Sequence, residues 1–200
     1  MRLIRDTEQI RMPWKNGGGE TIEIARGPDG STLDSFDWRI SRARIDRAGA
    51  FSRFEEVDRT LAILEGEGVA LSIERQQEVT LTAASPPFSF DGAASVQSRL
   101  LKGPVTDLNV MTKRGRCSHS VESISARRSS LVSGVAGAIV VLFSTGRVLA
   151  EMRHFHAHLE PNDAAILAWD DVVTLTLEGT GTVYRIEIRS LDRSGRAAAK

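Results

Sequence analysis

The apolar and β-branched positions of this chain fall into short runs, most of them alternating with polar residues. They occupy Thr21–Ala25, Trp38–Ile45, Leu61–Leu64, Val69–Glu74, Val79–Thr82, Val105–Met111, Ala138–Phe143, Thr174–Leu177 and Thr182–Ile188. Turn-forming residues separate them at Gly17–Gly19, Gly27–Gly30, Gly66–Gly68, Ser85–Pro87, Asp91–Gly92, Gly103–Pro104, Pro161–Asp163 and Gly179–Gly181. A period of two sends successive side chains to opposite faces, which is the signature of a strand. Many short strands with frequent turns predict an all-β sandwich or barrel. Long helical periodicity is absent, and one short helix is predicted within Val121–Val132.

Two segments repeat. Leu64-Glu65-Gly66-Glu67-Gly68, followed by Ser72-Ile73-Glu74, matches Leu177-Glu178-Gly179-Thr180-Gly181, followed by Arg185-Ile186-Glu187. The offset is 177 − 64 = 113 throughout. Both read as strand, glycine turn, strand, and together they predict two related β-barrels in tandem. Little chain follows Ile188, so the second half needs an N-terminal strand to close. The expected division is an N-terminal barrel with a ligand pocket over 1–120, a smaller half over 121–192 and a flexible tail over 193–200.

Composition narrows the partners. Lys+Arg and Asp+Glu are equal at 26 each, so no global charge attracts nucleic acid or an anionic membrane. The basic cluster Lys113, Arg114 and Arg116 reads as a solvated turn. Cys117 is the only cysteine, so no internal disulfide forms. The N-terminus has no secretory h-region, and the most apolar run, Val132–Phe143, is too short to span a bilayer. A cytoplasmic protein is the expectation.

Three segments carry a family resemblance. The first is Met12-Pro13-Trp14-Lys15-Asn16-Gly17-Gly18-Gly19-Glu20-Thr21-Ile22-Glu23-Ile24. The second runs from Phe36-Asp37-Trp38-Arg39-Ile40-Ser41 through Gly49-Ala50-Phe51-Ser52-Arg53-Phe54 to Asp58-Arg59. The third runs from Gly103-Pro104 through Asp107-Leu108-Asn109-Val110-Met111 to Gly115. Together they resemble the HutD/Ves family; the likeness is much weaker over 121–192. The resemblance implies a bicupin: two cupin-type (jelly-roll, double-stranded β-helix) barrels in tandem. It also implies an association with histidine utilisation. There, members are thought to bind a degradation product such as N-formyl-L-glutamate and to act as a governor of the pathway. It implies a ligand class rather than a reaction, so a binding module is expected before an enzyme.

The metal motif of cupins, G-x5-H-x-H-x(3,4)-E-x6-G, can be laid on the second segment. Counting back from Gly66, its glutamate falls on Arg59 and its histidines on Phe54 and Ser52. None of these holds a metal well, and Arg59 repels one. A cavity shaped for a cation then favours an anion, with no cofactor. Arg59 is the first candidate anchor, its planar fork suiting a carboxylate. A salt bridge to Asp58 or Glu56 is its bland alternative. Trp14, Lys15 and Asn16 offer a wall, a charge and hydrogen bonds, with Gly17, Gly18 and Gly19 allowing close backbone approach. Arg39 and Ser41 share one face of a strand, as do Asp107, Asn109 and Met111. Which face points inward is open from alternation alone. Asn109 is placed in the pocket, Asp107 holds one of the arginines, Phe51 supplies a wall and Ser52 a hydrogen bond.

The sharpest rival is His154, His156 and His158, which project from one face of a strand and with Glu151 or Glu160 could hold a metal. That alternative makes the protein a metal-dependent cupin enzyme; a solvated histidine face before Pro161-Asn162-Asp163 is the bland reading. Cys117 beside His119 lacks the setting of a nucleophile, and no GxSxG occurs. The expected partner is a small anionic metabolite, with a homodimer through edge strands.

Overall fold

The computed structural model describes residues 1–127, 130–133, 137–152, 155–168 and 174–191. The chain forms two compact units. One comprises Ile10–Arg114, here the N-terminal unit. The other, the C-terminal unit, comprises Gly115–Lys200 together with Met1–Gln9.

The N-terminal unit holds ten strands: β2 (Ile10–Pro13), β3 (Gly19–Gly27), β4 (Trp38–Ile45), β5 (Gly49–Ala50), β6 (Val57–Glu65), β7 (Val69–Ile73), β8 (Val79–Leu81), β9 (Phe88–Asp91), β10 (Val96–Leu100) and β11 (Val105–Lys113). They form a six-stranded sheet, β2-β3-β4-β11-β6-β9, and a four-stranded sheet, β5-β10-β7-β8. The C-terminal unit holds β1 (Arg2–Ile4), β12 (Cys117–Ser125), β13 (Ser130–Ser133), β14 (Ala138–Ser144), β15 (Val148–Met152), β16 (Phe155–Leu159), β17 (Ala164–Ala168), β18 (Thr174–Gly179) and β19 (Thr182–Ser190). Its sheets run β1-β17-β14-β19-β12 and β13-β18-β15-β16. All paired strands are antiparallel. The protein is all-β, and among the described residues each unit consists of two hydrogen-bonded sheets rather than a closed barrel.

In each unit the sheets share one core. Leu61 and Ile63 of the six-stranded sheet meet Leu71, Ile73, Leu81 and Val96 of the four-stranded sheet. In the C-terminal unit, Val140, Leu142 and Leu167 meet Val148, Leu159, Leu175 and Leu177. Each such side chain taken out of water contributes about 1.5–3 kcal/mol, and alternation along the strands makes that burial possible. The first nine residues are tied to the C-terminal unit. Strand β1 pairs with β17, and the buried Asp163 carboxylate accepts hydrogen bonds from Arg5 Nη1 (2.6 Å), the Asp6 amide (2.9 Å) and the Glu160 amide (3.0 Å). The N-terminal strand expected to complete the second half is this one.

The eight strands β4–β11 and the eight strands β12–β19 have the same pairings. Strand β11 lies between β4 and β6, as β19 lies between β12 and β14; β6 meets β9 as β14 meets β17. Strand β10 lies between β5 and β7, as β18 lies between β13 and β15; β7 meets β8 as β15 meets β16. The repeat is therefore present in connectivity, but the 113-residue offset joined the wrong strands. Gly66–Gly68 lie between β6 and β7, whereas Gly179 ends β18 and Gly181 lies just before β19. Neither is a hairpin, since each carries the chain from one sheet to the other. The connection that matches Gly66–Gly68 is the one after β14, which holds Gly146. A Cβ on Gly66 would sit 2.6 Å from the Pro104 carbonyl oxygen, and one on Gly146 2.1 Å from that of Thr180. Both glycines are fixed by a neighbouring turn, before β11 and before β19 respectively.

Among the described residues the helix predicted within Val121–Val132 is absent. Residues Cys117–Ser125 pair along their whole length with Ser190–Thr182, and Ser130–Ser133 pair with β18. Four serines in that stretch are indifferent helix formers, so tertiary pairing decides. Residues 193–200, expected as a tail, lie outside the described residues.

Candidate functional site

The six-stranded sheet turns one face toward a cavity of about 440 Å³ within the N-terminal unit. Strand β4 contributes Arg39 and Ser41, β6 contributes Arg59, and β11 contributes Asp107, Asn109 and Met111. The turn after β2 contributes Trp14, Lys15 and Asn16, and the segment after β5 contributes Phe51, Ser52 and Phe54. Alternation left the inward face of β4 and β11 open; the structure settles it, with Leu108 and Val110 buried on the other face of β11. The cavity thus gathers every side chain singled out as a ligand contact.

Arg59 is the centre of the arrangement. It is 7 % exposed. Its Nε donates to Asn109 Oδ1 at 2.7 Å, and Nη2 donates to the same oxygen. Its Cζ lies 4.8 Å from the Phe51 ring centroid and 5.4 Å from that of Phe90. Two aromatic faces and one amide therefore fix the guanidinium plane. With the Nε side of the fork given to Asn109, the outer Nη1–Nη2 edge makes no further hydrogen bond to the described residues. Burial brings the Arg59 pKa down to about 10, with Asp107 opposing and Arg39 adding to the fall. It remains a cation at neutral pH. The surface alternatives are excluded, because Asp58 and Asp91 pair with Arg114, and Glu56 with Lys113.

Asp107 does not hold an arginine directly. Its Oδ1 accepts a hydrogen bond from Asn109 Nδ2, so Asn109 bridges carboxylate and guanidinium. Burial lifts the Asp107 carboxyl to about 7, against the opposing pull of Arg59, the Ala43 backbone N–H and Asn109. The other buried arginine is balanced differently. Arg39 Nε donates to Glu23 Oε2 at 2.8 Å, and Arg26 Nη1 lies 3.2 Å from Glu23 Oε1. Glu23, on the strand next to Arg39, is a neighbour of the cavity side chains that sequence reasoning missed. So are Phe90 and Thr21, whose Oγ1 accepts the Trp14 Nε1–H at 2.8 Å.

The glycine turn works by shape. The Gly17 N–H donates to the Trp14 carbonyl and the Gly18 N–H to Asn16 Oδ1 (both 3.0 Å), so neither amide is presented to a ligand. Gly19 has φ +156°, and a Cβ there would sit 2.0 Å from the Arg44 carbonyl oxygen. The close approach is between two strands, and it brings Trp14 over the cavity. Lys15, Asn16 and Ser52 are exposed at its rim.

The histidine cluster belongs to the C-terminal unit. His156 and His158 are exposed on β16 with ring centroids 6.2 Å apart; His154 lies outside the described residues. Among the described residues no three His, Cys, Asp or Glu side chains converge on a metal position. Cys117 is buried. No helix among the described residues is long and apolar enough to cross a membrane.

Fold and cavity define an all-β protein of cupin-like type. A single-residue variant of oxalate decarboxylase from Bacillus subtilis has the same fold at a TM-score of 0.56, with 9 % identity over 99 % of this chain and 78 % of that one. The HutD family model matches residues 6–185, and the chain belongs to that family. HutD from Pseudomonas fluorescens SBW25, in a formate condition, superposes with a TM-score of 0.81 and 28 % identity over 96 % of this chain and 99 % of that one. An uncharacterized 21.2 kDa protein in the hutC 3′ region of Pseudomonas putida is 40 % identical over 56 % of this chain and 57 % of its own length. Protein Ves from Citrobacter koseri is 39 % identical over 66 % of each chain. The matched segments thus span less than two thirds of either curated relative.

Proposed function

We propose that the N-terminal unit is a binding module for a small carboxylate, held at the Nη1–Nη2 edge of Arg59, and that it serves regulation of histidine utilisation rather than catalysis. The observation that carries the reading is the guanidinium itself. It is buried, oriented by Phe51, Phe90 and Asn109, and exposes its two-donor edge beside a cavity of about 440 Å³. That volume lies within the range of about 300–1,000 Å³ that small-molecule sites occupy. A fixed guanidinium loses little freedom on binding, and a charge-assisted pair of bonds contributes about 1.5–3 kcal/mol. Trp14 and Phe54 are walls, Ser41 and Ser52 are hydrogen-bonding groups, and Lys15 draws anions to the mouth. The matching strand orders of the two units are read as a duplicated cupin fold.

Family membership and the hutC-region relative support N-formyl-L-glutamate as the first ligand to try. Calorimetric titration at pH 6 tests it. Saturable binding is expected, weakened by about 2 kcal/mol or more, roughly thirtyfold, in Arg59→Ala. An unchanged dissociation constant in that variant would remove Arg59 from the site.

A further inference from the structure

The buried charges around the cavity balance before any ligand arrives, two arginines against two carboxylates, with the part-exposed Arg26 and the exposed Lys15 outside that count. Arg39 is answered by Glu23, and Arg59 is answered through Asn109 by Asp107. A carboxylate arriving at Arg59 adds one negative charge beside the buried Asp107, and the surplus must be relieved. The two carboxylates already present are held unequally. Glu23 touches two arginines, with Arg39 at 2.8 Å and Arg26 at 3.2 Å. Asp107 touches no cation and is held by the Asn109 amide and the Ala43 backbone N–H alone.

We infer that Asp107 sets the charge the pocket accepts, the ligand carboxylate binding at Arg59 together with one proton that Asp107 takes up. The inference rests on the reading of the cavity as a carboxylate site. The charged groups facing Asp107 are Arg59 from β6 and Arg39 from β4. Glu23 of β3 stands behind Arg39, and Lys15 is at the rim; the four-stranded sheet lines the cavity with Ala50, and its Leu71, Ile73 and Val96 belong to the apolar core. Arg59 is the one whose charge bears on the Asp107 carboxyl, and it is the group a bound carboxylate neutralises. With that opposing charge spent, burial outweighs the two remaining hydrogen bonds, from Asn109 and the Ala43 backbone N–H, and the neutral acid prevails. The proton comes from solvent and goes to a carboxylate oxygen of Asp107, whose Oδ1 remains the acceptor for Asn109. The carboxyl is poised near 7 in the unliganded protein, so the exchange falls within the physiological range.

Proton counting tests the inference directly. N-formyl-L-glutamate is titrated into the full-length protein at pH 8 in Tris and in HEPES, whose ionisation enthalpies differ, and at intervals from pH 6 to pH 8.5. Uptake of about one proton per ligand is expected at pH 8, shrinking toward pH 6, with the dissociation constant rising about tenfold per pH unit above pH 7.5. Asp107→Asn should still bind, with no proton uptake and a flat pH profile. Saturable binding by the wild type without proton uptake at pH 8 overturns the inference and leaves the carboxylate site standing. No saturable binding at pH 6 overturns the carboxylate site and the inference with it. Should the variant not fold, the wild-type proton count decides alone.

Discussion

The two units share the pairings of eight strands and differ in what the strands carry inward. In the N-terminal unit the inner face presents Arg39 on β4, Arg59 on β6 and Asp107 and Asn109 on β11, three adjacent strands meeting around a cavity. On the corresponding face of the C-terminal unit, β14 presents Val140 and Leu142, which join an apolar core. The charges on that side centre on β19 instead, with Glu122 of β12 4.0 Å from Arg185. Arg185 and Arg189 both donate to the Glu187 carboxylate, the latter from Nε at 2.6 Å. Charges two residues apart on a strand share a face and satisfy one another. Charges on three different strands must be held apart by something between them, and Asn109 does that. Connectivity alone therefore makes no site; it makes positions, and residue choice turns some of them into a site.

The comparison can be broken most forcefully in the C-terminal core. Leu142→Ala removes a fully buried side chain and should cost about 2–5 kcal/mol of stability, read by chemical denaturation, while ligand affinity in the folded fraction stays unchanged. A large loss of affinity would mean the units are not independent in function. Next come the arginines themselves. Arg59→Ala should weaken carboxylate binding by about 2 kcal/mol, whereas Arg185→Ala should leave it within error. Equal losses would erase the distinction between cavity charges and strand-bound charges.

Asp107 gives an effect of similar size on stability. Its carboxyl is raised from the ordinary 3.8 to about 7, so the folded chain keeps a proton that the unfolded chain releases. The stability this group contributes is fully present below about pH 4 and is lost as pH rises to about 7, a fall on the order of 4 kcal/mol. Denaturation of wild type and Asp107→Asn across that window should show the slope diminished in the variant; parallel curves would contradict it. The smallest effect is at the rim. Lys15 is exposed, so Lys15→Ala should cost about 0.5 kcal/mol in affinity, mostly through a slower, less salt-sensitive association seen by stopped flow.

Much of this was legible in the chain. All nine strands read from alternation are present, because burial on one face is what alternation encodes. Arg59 was found by counting along a metal motif whose ligands are missing. The face of Arg39 and Ser41 was not legible, since Trp38 and Ile40 are equally buried on the opposite side of β4. Glu23 was missed because its partnership with Arg39 crosses strands, and the register of β3 shifts between Glu23 and Ala25. Phe90 was missed because β9 is short and pairs with β6 from far along the chain, 89 − 60 being 29 for one registered pair. The true repeat escaped detection for a related reason. It is written in pairings, and Val69 and Val148, which open β7 and β15, are separated by 148 − 69 = 79 residues with little local identity around them.

The most direct measurement is a crystal structure of the protein with N-formyl-L-glutamate at pH 6. The expected result is one ligand in the N-terminal unit, a carboxylate within about 3 Å of Arg59 Nη1 and Nη2, and the Asn109 bridge to Asp107 unbroken. A ligand bound elsewhere, with the edge of Arg59 facing only water, would contradict the assignment of the cavity.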